Sequence, residues 1–146
     1  MSKAFSIEDG DLQNKPITTT LDRTYSDIDC TFLAKPSGDI YKKTDVAAVR
    51  QSVKNLLLTN TGEVPFLPYF GGGLNRFLFT LSTEITERDI AKRVTETIQS
   101  YEPRADIKTI SVTIEPDYNA IDVKVVFSVL NYPQPVSVSV TIARTR

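Results

Sequence analysis

The stretch Tyr101-Glu102-Pro103-Arg104 places an acid, a helix breaker and a guanidinium group in a row. Pro103 lacks an amide hydrogen and disfavours the α conformation at the residue before it, so a helix that reaches Tyr101 must end here. The carboxylate and the guanidinium can bind each other, or they can bind a partner through charge-assisted hydrogen bonds. An ion pair at the surface contributes only about 0–1 kcal/mol. A local helix stop and a docking role therefore both remain open.

Residues for catalysis are few in this chain. It has 146 residues, no histidine and one cysteine, which removes Ser-His-Asp and Cys-His catalysis and His-ligated zinc. The carboxylates Glu63, Glu84 and Glu102 form no recognisable acid pair of a glycosidase. Asp27 and Asp29 lie two apart but lack the further oxygen ligands of a calcium loop. We expect no enzymatic activity, no bound metal and no cofactor.

Composition argues against several classes of partner. The net charge is −1, from 17 basic and 18 acidic residues, so no global field attracts nucleic acid or an anionic membrane. No apolar run reaches the roughly 18 residues of a membrane-spanning helix, and the N-terminus lacks the apolar core of a signal peptide. Because Cys30 is the single cysteine, we expect a reducing compartment.

The run Gly71-Gly72-Gly73 predicts a tight turn, since the Lys-Ser/Thr of a P-loop does not follow it.

Two segments have the periodicity of amphipathic helices. The first is predicted from about Asp45 to Thr59 with Thr44 as its N-cap, and the second from about Glu87 to Tyr101. Their apolar positions share one buried face each: Val46, Val49, Val53, Leu56 and Leu57 in the first helix, and Ile90, Val94, Ile98 and Tyr101 in the second.

The segment between these helices is rich in proline, glycine and aromatic residues. Its prolines exclude regular strand pairing. We expect the aromatic side chains of Phe66, Tyr69 and Phe70 to pin this loop to the core. A short helix is predicted over residues 74–81, with its leucine and phenylalanine side chains directed inward.

After the second helix the apolar period changes to two, which is typical of strands. Strands are predicted over residues 110–114, 121–129 and 136–142, joined by short turns into an antiparallel meander with one apolar face. Two helices on that face give an α+β domain over residues 25–146. Residues 1–24 show neither period and are predicted to form an extended N-terminal arm.

The last predicted strand lacks the usual protection of a sheet edge. Val136 to Thr141 contains no charge, whereas edge strands are generally blunted by charge, proline or bulges. An open edge can accept a strand from another chain through main-chain hydrogen bonds. The candidates for such a contact are Val136, Val138, Val140 and Ile142, and an ordinary protected edge is the alternative.

Four motifs occur together in a recognisable order. They are YSDID at 25–29, PFLPYFGGGLNRFLF at 65–79, YEPR at 101–104 and FSVLN at 127–131. With these motifs, the chain from about residue 25 onward resembles the small baseplate wedge proteins of contractile-tail phages. That family is related to the sheath-initiating baseplate component of type VI secretion systems.

The resemblance implies a structural role in a virion baseplate. It implies that Glu102, Pro103 and Arg104 contact the helical core bundle of larger wedge subunits. It also implies that the strands from Ile121 to Ile142 template the first ring of tail sheath around the tail tube. Assembly is then expected in the host cytoplasm, without nucleic-acid, membrane or small-molecule partners. The alternatives are a baseplate-associated peptidoglycan hydrolase, and the equivalent component of a type VI secretion system or other contractile injection particle.

Overall fold

The structure is a computed structural model that describes residues 25–79, 87–130 and 132–143. The predicted arm over residues 1–24 lies outside the described residues. Within the described part of the chain, no helix is long and apolar enough to cross a membrane. The elements in chain order are β1 (Ser26–Ile28), β2 (Lys42–Thr44), α1 (Asp45–Leu58), a 3₁₀ helix (Leu74–Phe79), α2 (Glu87–Tyr101), β3 (Ala105–Glu115), a second 3₁₀ helix (Pro116–Tyr118), β4 (Ala120–Val129) and β5 (Tyr132–Ala143).

The main sheet is the predicted antiparallel meander, in the order β3-β4-β5. Its central register places Val125 of β4 opposite Ile110 of β3 and Val138 of β5. Helix α1 packs against β5, and α2 packs against β3. The two helices therefore cover one face of a three-stranded sheet, and the predicted α+β class is confirmed.

The hydrophobic core lies between this sheet and the two helices. Its fully buried side chains include Val49, Val53 and Leu57 of α1, Ile90, Val94 and Ile98 of α2, and Val123, Val125 and Phe127 of β4. Burying a side chain of this size stabilises the fold by roughly 1.5–3 kcal/mol. The predicted helix positions are buried except at Val46, which is half-buried, and Tyr101, which is exposed. Ala48, Gln51 and Thr97 are buried in addition, which the periodicity does not predict.

Two strands are longer than the sequence pattern predicts. β3 begins at Ala105, directly after Arg104, and β5 begins at Tyr132 within the segment predicted as a turn. Each extension contains a shift in register. In β3 the shift lies between Ile107 and Thr109. In β5 it lies opposite the segment of β4 between Phe127 and Val129. A bulge of this kind interrupts the alternation of apolar and polar residues. The alternation in the sequence therefore does not predict the part of the strand beyond the bulge.

Helix α1 begins at Asp45 with Thr44 in the N-cap position, as predicted, but the Thr44 side chain makes no capping hydrogen bond. Instead Asp45 exchanges hydrogen bonds with Tyr25: its N–H donates to the Tyr25 carbonyl, and its carboxylate accepts from the Tyr25 N–H. The start of α1 is thereby fixed to the strand pair β1-β2, which satisfies backbone groups that a cap would otherwise satisfy.

The loop between α1 and the first 3₁₀ helix turns its aromatic residues outward. Phe66 is 100% exposed and Tyr69 is 78% exposed, so the prediction that they pin the loop to the core is wrong. The loop closes on itself, because the Gly62 N–H donates to the Pro68 carbonyl across it. Of the three aromatic residues, only Phe70 packs against the core cluster.

The glycine run after this loop lets its main chain approach the main chain at the end of α1 more closely than a side chain would allow. Gly71 has φ +102°, and a Cβ at this position would lie 2.5 Å from the Thr59 carbonyl oxygen. The predicted tight turn is confirmed by this geometry. The turn brings the chain back along the end of α1, where the Gly72 N–H donates to the Leu56 carbonyl.

This geometry predicts unequal costs for two glycine substitutions. Gly71→Ala combines an unfavourable φ with a clash against backbone, so we expect it to lower the free energy of unfolding by roughly 3 kcal/mol or more. Gly38→Ala is the matched control: its φ is +83°, but no heavy atom lies within 4 Å of the added methyl. It should cost only about 1 kcal/mol. Urea unfolding measures both, and equal losses would contradict the close approach at Gly71.

Candidate functional site

The carboxylate of Glu102 is buried at the end of α2, where the side chain is only 2% exposed. It accepts a hydrogen bond from the Ser52 hydroxyl of α1 at 2.5 Å. Arg104 donates two more, from Nε at 2.5 Å and from Nη2 at 2.7 Å. The two N–H groups of Arg104 bind the two carboxylate oxygens in a fork, the geometry in which a guanidinium matches a carboxylate.

Arg104 is held on its other side by Tyr25. The guanidinium carbon lies 5.0 Å from the centroid of the Tyr25 ring, which is within the range of a cation–π interaction. Tyr25, Ser52, Glu102 and Arg104 are named the Glu102 cluster below. An arginine has five N–H donors, and within the described residues Arg104 uses two of them. Because its side chain remains 36% exposed, the guanidinium can still bind a group outside the chain.

The four sequence motifs meet at the YEPR segment. Tyr25 begins YSDID, and its ring lies beside Arg104. The Leu130 N–H of FSVLN donates to the Arg104 carbonyl at 3.1 Å. Phe70 of the proline-rich motif packs edge-on against Tyr101 of YEPR, with the ring centroids 5.0 Å apart. Segments that are distant in sequence therefore form one surface at this end of the sheet.

Exposed apolar residues adjoin Arg104 in the chain and through one main-chain hydrogen bond. Pro103 directly before it is exposed, Leu130, whose N–H donates to the Arg104 carbonyl, is 57% exposed, and the Tyr101 ring is partly open to solvent. An arginine together with aromatic and aliphatic residues is a composition found at the centre of protein–protein interfaces. These four residues, Tyr101, Pro103, Arg104 and Leu130, are named the Arg104 surface.

The energetics of the Glu102–Arg104 pair differ from those expected of a surface ion pair. A surface pair would contribute about 0–1 kcal/mol. Because Glu102 is buried, removing Arg104 would leave a carboxylate without its charged partner inside the protein, which is strongly destabilising. In the free domain the sequence-predicted trio divides into a buried acid, Glu102, an exposed proline and a half-buried arginine. Ser52 and Tyr25 were missed, since nothing local in the sequence relates them to Glu102.

The environment of Glu102 determines its protonation. Burial alone would raise the pKa of this carboxyl group, but the hydrogen bonds from Arg104 and Ser52 and the charge of Arg104 outweigh it. The pKa of Glu102 is therefore below its ordinary value, and the group stays ionised. A general acid for glycoside hydrolysis needs a raised pKa, so Glu102 is unsuited to that role.

The second predicted site is the last strand. Within the described residues β5 is an edge strand of the main sheet. The side chains of Val138, Val140 and Ile142 are buried and that of Val136 is half-buried, so all four face the core. The three buried side chains expose little surface to a partner, whereas the half-buried Val136 and the main chain of the strand edge are more accessible.

A groove of about 930 Å³ runs beside the open edge of β5. Its walls are α1 on one side and β5 on the other, and it includes Cys30 and Lys43 near β2. Residues from both faces of β5, Val138 and Ser139, line it, which places the groove along the strand edge itself. This cavity is named the β5 groove.

Comparison with protein families gives a match over most of the domain. The family described as "Baseplate wedge protein gp25" matches residues 43–134. A relative with the same description, from Enterobacteria phage T4, is 28% identical over 117 residues, which cover 80% of this chain and 88% of the relative.

Two solved structures share the fold. The cryo-EM structure of the anti-feeding prophage baseplate contains a chain with a TM-score of 0.58 and 21% identity, covering 81% of this chain and 84% of that one. A crystal structure from Geobacter sulfurreducens, described as a tail lysozyme, also has a TM-score of 0.58, with 18% identity over 67% of this chain and 89% of that one. At these identities the two structures show the fold alone.

The lowered pKa of Glu102 predicts a pH-dependent stability. Above its ordinary pKa of 4.5 the charged carboxylate stabilises the fold, and this contribution is lost as the pH falls through the lower folded-state pKa. We expect Glu102→Gln to lower the free energy of unfolding by about 1–3 kcal/mol at neutral pH. The difference from the wild type should shrink as the pH falls below 4.5 and through the lower folded-state pKa, where the wild type loses the contribution of its charge.

Urea unfolding of both proteins at a series of pH values measures this difference. Glu96→Gln is the control, because Glu96 is an exposed carboxylate on α2 whose nearest cation, on Lys92, is 4.0 Å away. It should change stability little at any pH. A Glu102→Gln difference that stays constant with pH would contradict a charged, buried Glu102.

Proposed function

The chain belongs to the family of baseplate wedge proteins, and from this premise we propose that it docks on the helical core bundle of larger wedge subunits and initiates tail sheath polymerisation. The observation that carries the proposal is that the other three sequence motifs contact the YEPR segment, two of them at Arg104 and one at Tyr101. As a baseplate component the chain would be assembled into its particle in the host cytoplasm, before sheath is added.

Docking is assigned to the Arg104 surface. Glu102 and Tyr25 hold the guanidinium in one orientation, which reduces the side-chain entropy that binding would otherwise cost. Its unused N–H donors suit a carboxylate, or the unpaired carbonyls at the C-terminal end of a helix in the partner bundle. In this proposal Arg104 and Pro103 contact the partner, and Glu102 is a positioning residue.

Sheath initiation is assigned to the open edge of β5. The run from Val136 to Thr141 carries no charge, and its side chains alternate between the buried face and the exposed face of the sheet. A strand from the first sheath subunits can extend the meander by main-chain hydrogen bonds, as in β-augmentation. The core-facing side chains Val138 and Val140 then act by keeping the edge straight and in register rather than by direct contact.

Peptidoglycan hydrolysis is the weaker proposal. Its support is the description of the Geobacter sulfurreducens structure, whose likeness to this chain is one of fold. Against it, the buried carboxylate of Glu102 has a lowered pKa and is occupied by Arg104 and Ser52. This carboxylate cannot provide the acid–base chemistry of hydrolysis, and a structural role does not require that chemistry.

The docking proposal predicts that loss of the Arg104 guanidinium prevents wedge assembly. The single variant Arg104→Ala would leave Glu102 charged and buried, so a double variant, Glu102→Gln with Arg104→Gln, removes both charges together. We expect the double variant to fold and to fail to co-purify with wedge subunits, because the cation at the centre of the surface is gone. Circular dichroism and pull-down from co-expressing cells measure folding and assembly.

Lys108→Ala is the matched control for the loss of a cation. Lys108 lies on β3 near Arg104, and its ammonium group pairs with Asp106 at the surface. We expect this variant to assemble at the wild-type level. Wild-type assembly by a folded double variant would contradict docking through Arg104.

The sheath proposal predicts the effect of a proline in the middle of β5. Successive N–H groups in a strand point to opposite edges, so one of the two variants Val138→Pro and Ser139→Pro breaks the ladder to β4. The other removes only an N–H on the open edge. We expect the variant that keeps wild-type stability to enter wedges but to yield baseplates that do not start sheath.

Electron microscopy of the particles counts baseplates with and without attached sheath, and urea unfolding identifies which variant is the stable one. On β3, the opposite edge strand, one of the two variants Val112→Pro and Thr113→Pro likewise keeps the ladder to β4, and that variant is the control for proline at a sheet edge. Sheath of normal frequency on baseplates that carry the stable β5 variant would contradict strand addition at this edge.

A further inference from the structure

The loop between α1 and the first 3₁₀ helix presents a continuous apolar surface to solvent. Residues 65–69, with the sequence Pro-Phe-Leu-Pro-Tyr, carry no charge and are all exposed. The two aromatic rings, of Phe66 and Tyr69, are the most exposed of them. Contiguous exposed apolar residues on a folded domain indicate a binding site. This segment is named the aromatic loop, and it shares no residue with the Arg104 surface or with β5.

The first turn of the aromatic loop holds Phe66 in a conformation that phenylalanine rarely adopts. The Leu67 N–H donates to the Val64 carbonyl at 3.2 Å, with Pro65 at the second position of the turn and Phe66 at the third. The φ of Phe66 is +65°. A positive φ after a proline is the pattern of a type II turn, which normally has glycine at its third position. Phe66 therefore occupies a strained position, and its ring buries no surface in return.

The second turn presents Tyr69 in the same way. The Phe70 N–H donates to the Leu67 carbonyl at 3.0 Å, with Pro68 at the second position and Tyr69 at the third. The Gly62 N–H closes the base of the loop by donating to the Pro68 carbonyl at 2.9 Å. Because the prolines and these hydrogen bonds fix the backbone, the loop has little conformational freedom to lose when its rings bind a partner.

The chemistry of the aromatic loop suits an apolar pocket of another protein. Proline has no N–H, and the N–H groups of Leu67 and Phe70 are hydrogen-bonded within the loop, so burying it leaves few donors unpaired. Residues 64–70 contain no cation that could bind the phosphates of a nucleic acid. Aromatic side chains that fill pockets provide much of the binding energy at protein interfaces.

The aromatic loop adjoins the Arg104 surface. Phe70, directly after the loop, packs on Tyr101 of that surface with the ring centroids 5.0 Å apart. Phe66 is four residues from Phe70 and therefore at most about 14 Å from it along the chain. A specific interface has about 20–30 residues on each side, whereas the Arg104 surface has four. Phe66 and Tyr69 can each add about 150–250 Å² of buried area, so one partner can cover both surfaces.

We propose that Phe66 and Tyr69 insert into an apolar pocket of a wedge subunit, beside the contact assigned to Arg104. The choice of a wedge subunit as the partner rests on the proposed function. Arg104 supplies the charged contact, and the aromatic loop supplies the apolar area that the Arg104 surface lacks. This role explains why a strained phenylalanine is held outward by a closed loop.

The substitution Phe66→Gly separates a binding role from a structural one. Glycine adopts a positive φ freely, and the ring that it removes buries nothing in the free domain. We expect Phe66→Gly to unfold at a urea concentration at least as high as that of the wild type. A lower midpoint would show that the ring stabilises the free domain, and it would overturn the argument from strain.

The double variant Phe66→Gly with Tyr69→Ala tests the binding role in cells that co-express the wedge subunits. We expect the amount that co-purifies with those subunits to fall at least tenfold. Tyr118→Ala is the matched control, because Tyr118 is a 77% exposed aromatic residue beyond the end of β3 that is far from Arg104. It should co-purify at the wild-type level. Co-purification of the folded double variant at the wild-type level would overturn the proposal.

A photo-crosslinking amino acid in place of Phe66 identifies what the aromatic loop contacts. With p-benzoylphenylalanine at this position, we expect irradiation of assembled wedges to join the chain to a wedge subunit. A crosslink only to sheath protein or to a second copy of this chain would overturn the proposal. So would binding of the wild type, but not of the double loop variant, to vesicles of phosphatidylcholine and phosphatidylglycerol, because that result would assign the loop to a membrane.

The outcomes separate this proposal from docking through Arg104. Normal assembly by the loop variant, with no assembly by the Glu102→Gln and Arg104→Gln variant, would overturn the loop contact and leave docking through Arg104 intact. The reverse result, together with a crosslink from position 66 to a wedge subunit, would support the loop contact and contradict docking through Arg104.

Discussion

A carboxylate removed from water must be compensated by hydrogen-bond donors, and Glu102 receives three of them, from Ser52 and from two nitrogens of Arg104. The connections between the elements at this end of the domain follow from that requirement. Ser52 joins α1 to the end of α2, and Arg104 joins the end of α2 to the start of β3. Because Arg104 also lies on the Tyr25 ring, the strand pair β1-β2 is fixed to the same point.

The helix stop and the docking surface are consequences of one turn. Pro103 ends α2 and is itself left exposed, while Glu102 before it points inward and Arg104 after it remains partly open. A guanidinium bound to a buried carboxylate and an aromatic ring has few conformations to lose when a partner binds. Under the proposed function, stability of the free domain and assembly depend on the same ion pair, which is why the two charges have to be altered together in any test of docking.

Sequence periodicity predicts the parts of this fold in which one face is buried along a regular element. The apolar positions of both helices and the alternation over residues 121–129 and 136–142 are of this kind. It does not predict the extension of β5 through its bulge, or the outward position of Phe66, which depends on a loop that closes on itself. The motifs identify Glu102 and Arg104, but the burial of Glu102 requires Ser52, fifty residues away, and no local pattern carries that contact.

The open edge of β5 and the Arg104 surface are formed by different residues, so the proposed docking and the proposed sheath initiation can be tested with separate variants. The central claim is that Arg104 faces the wedge bundle while Glu102 stays inside. A cryo-EM reconstruction of the assembled wedge at side-chain resolution tests it most directly. The account predicts density from Arg104 to an acidic group or helix carbonyl of the bundle, with Glu102 still bound to Ser52. An Arg104 that faces solvent in the assembled wedge, with the bundle seated on another face of the domain, would contradict it.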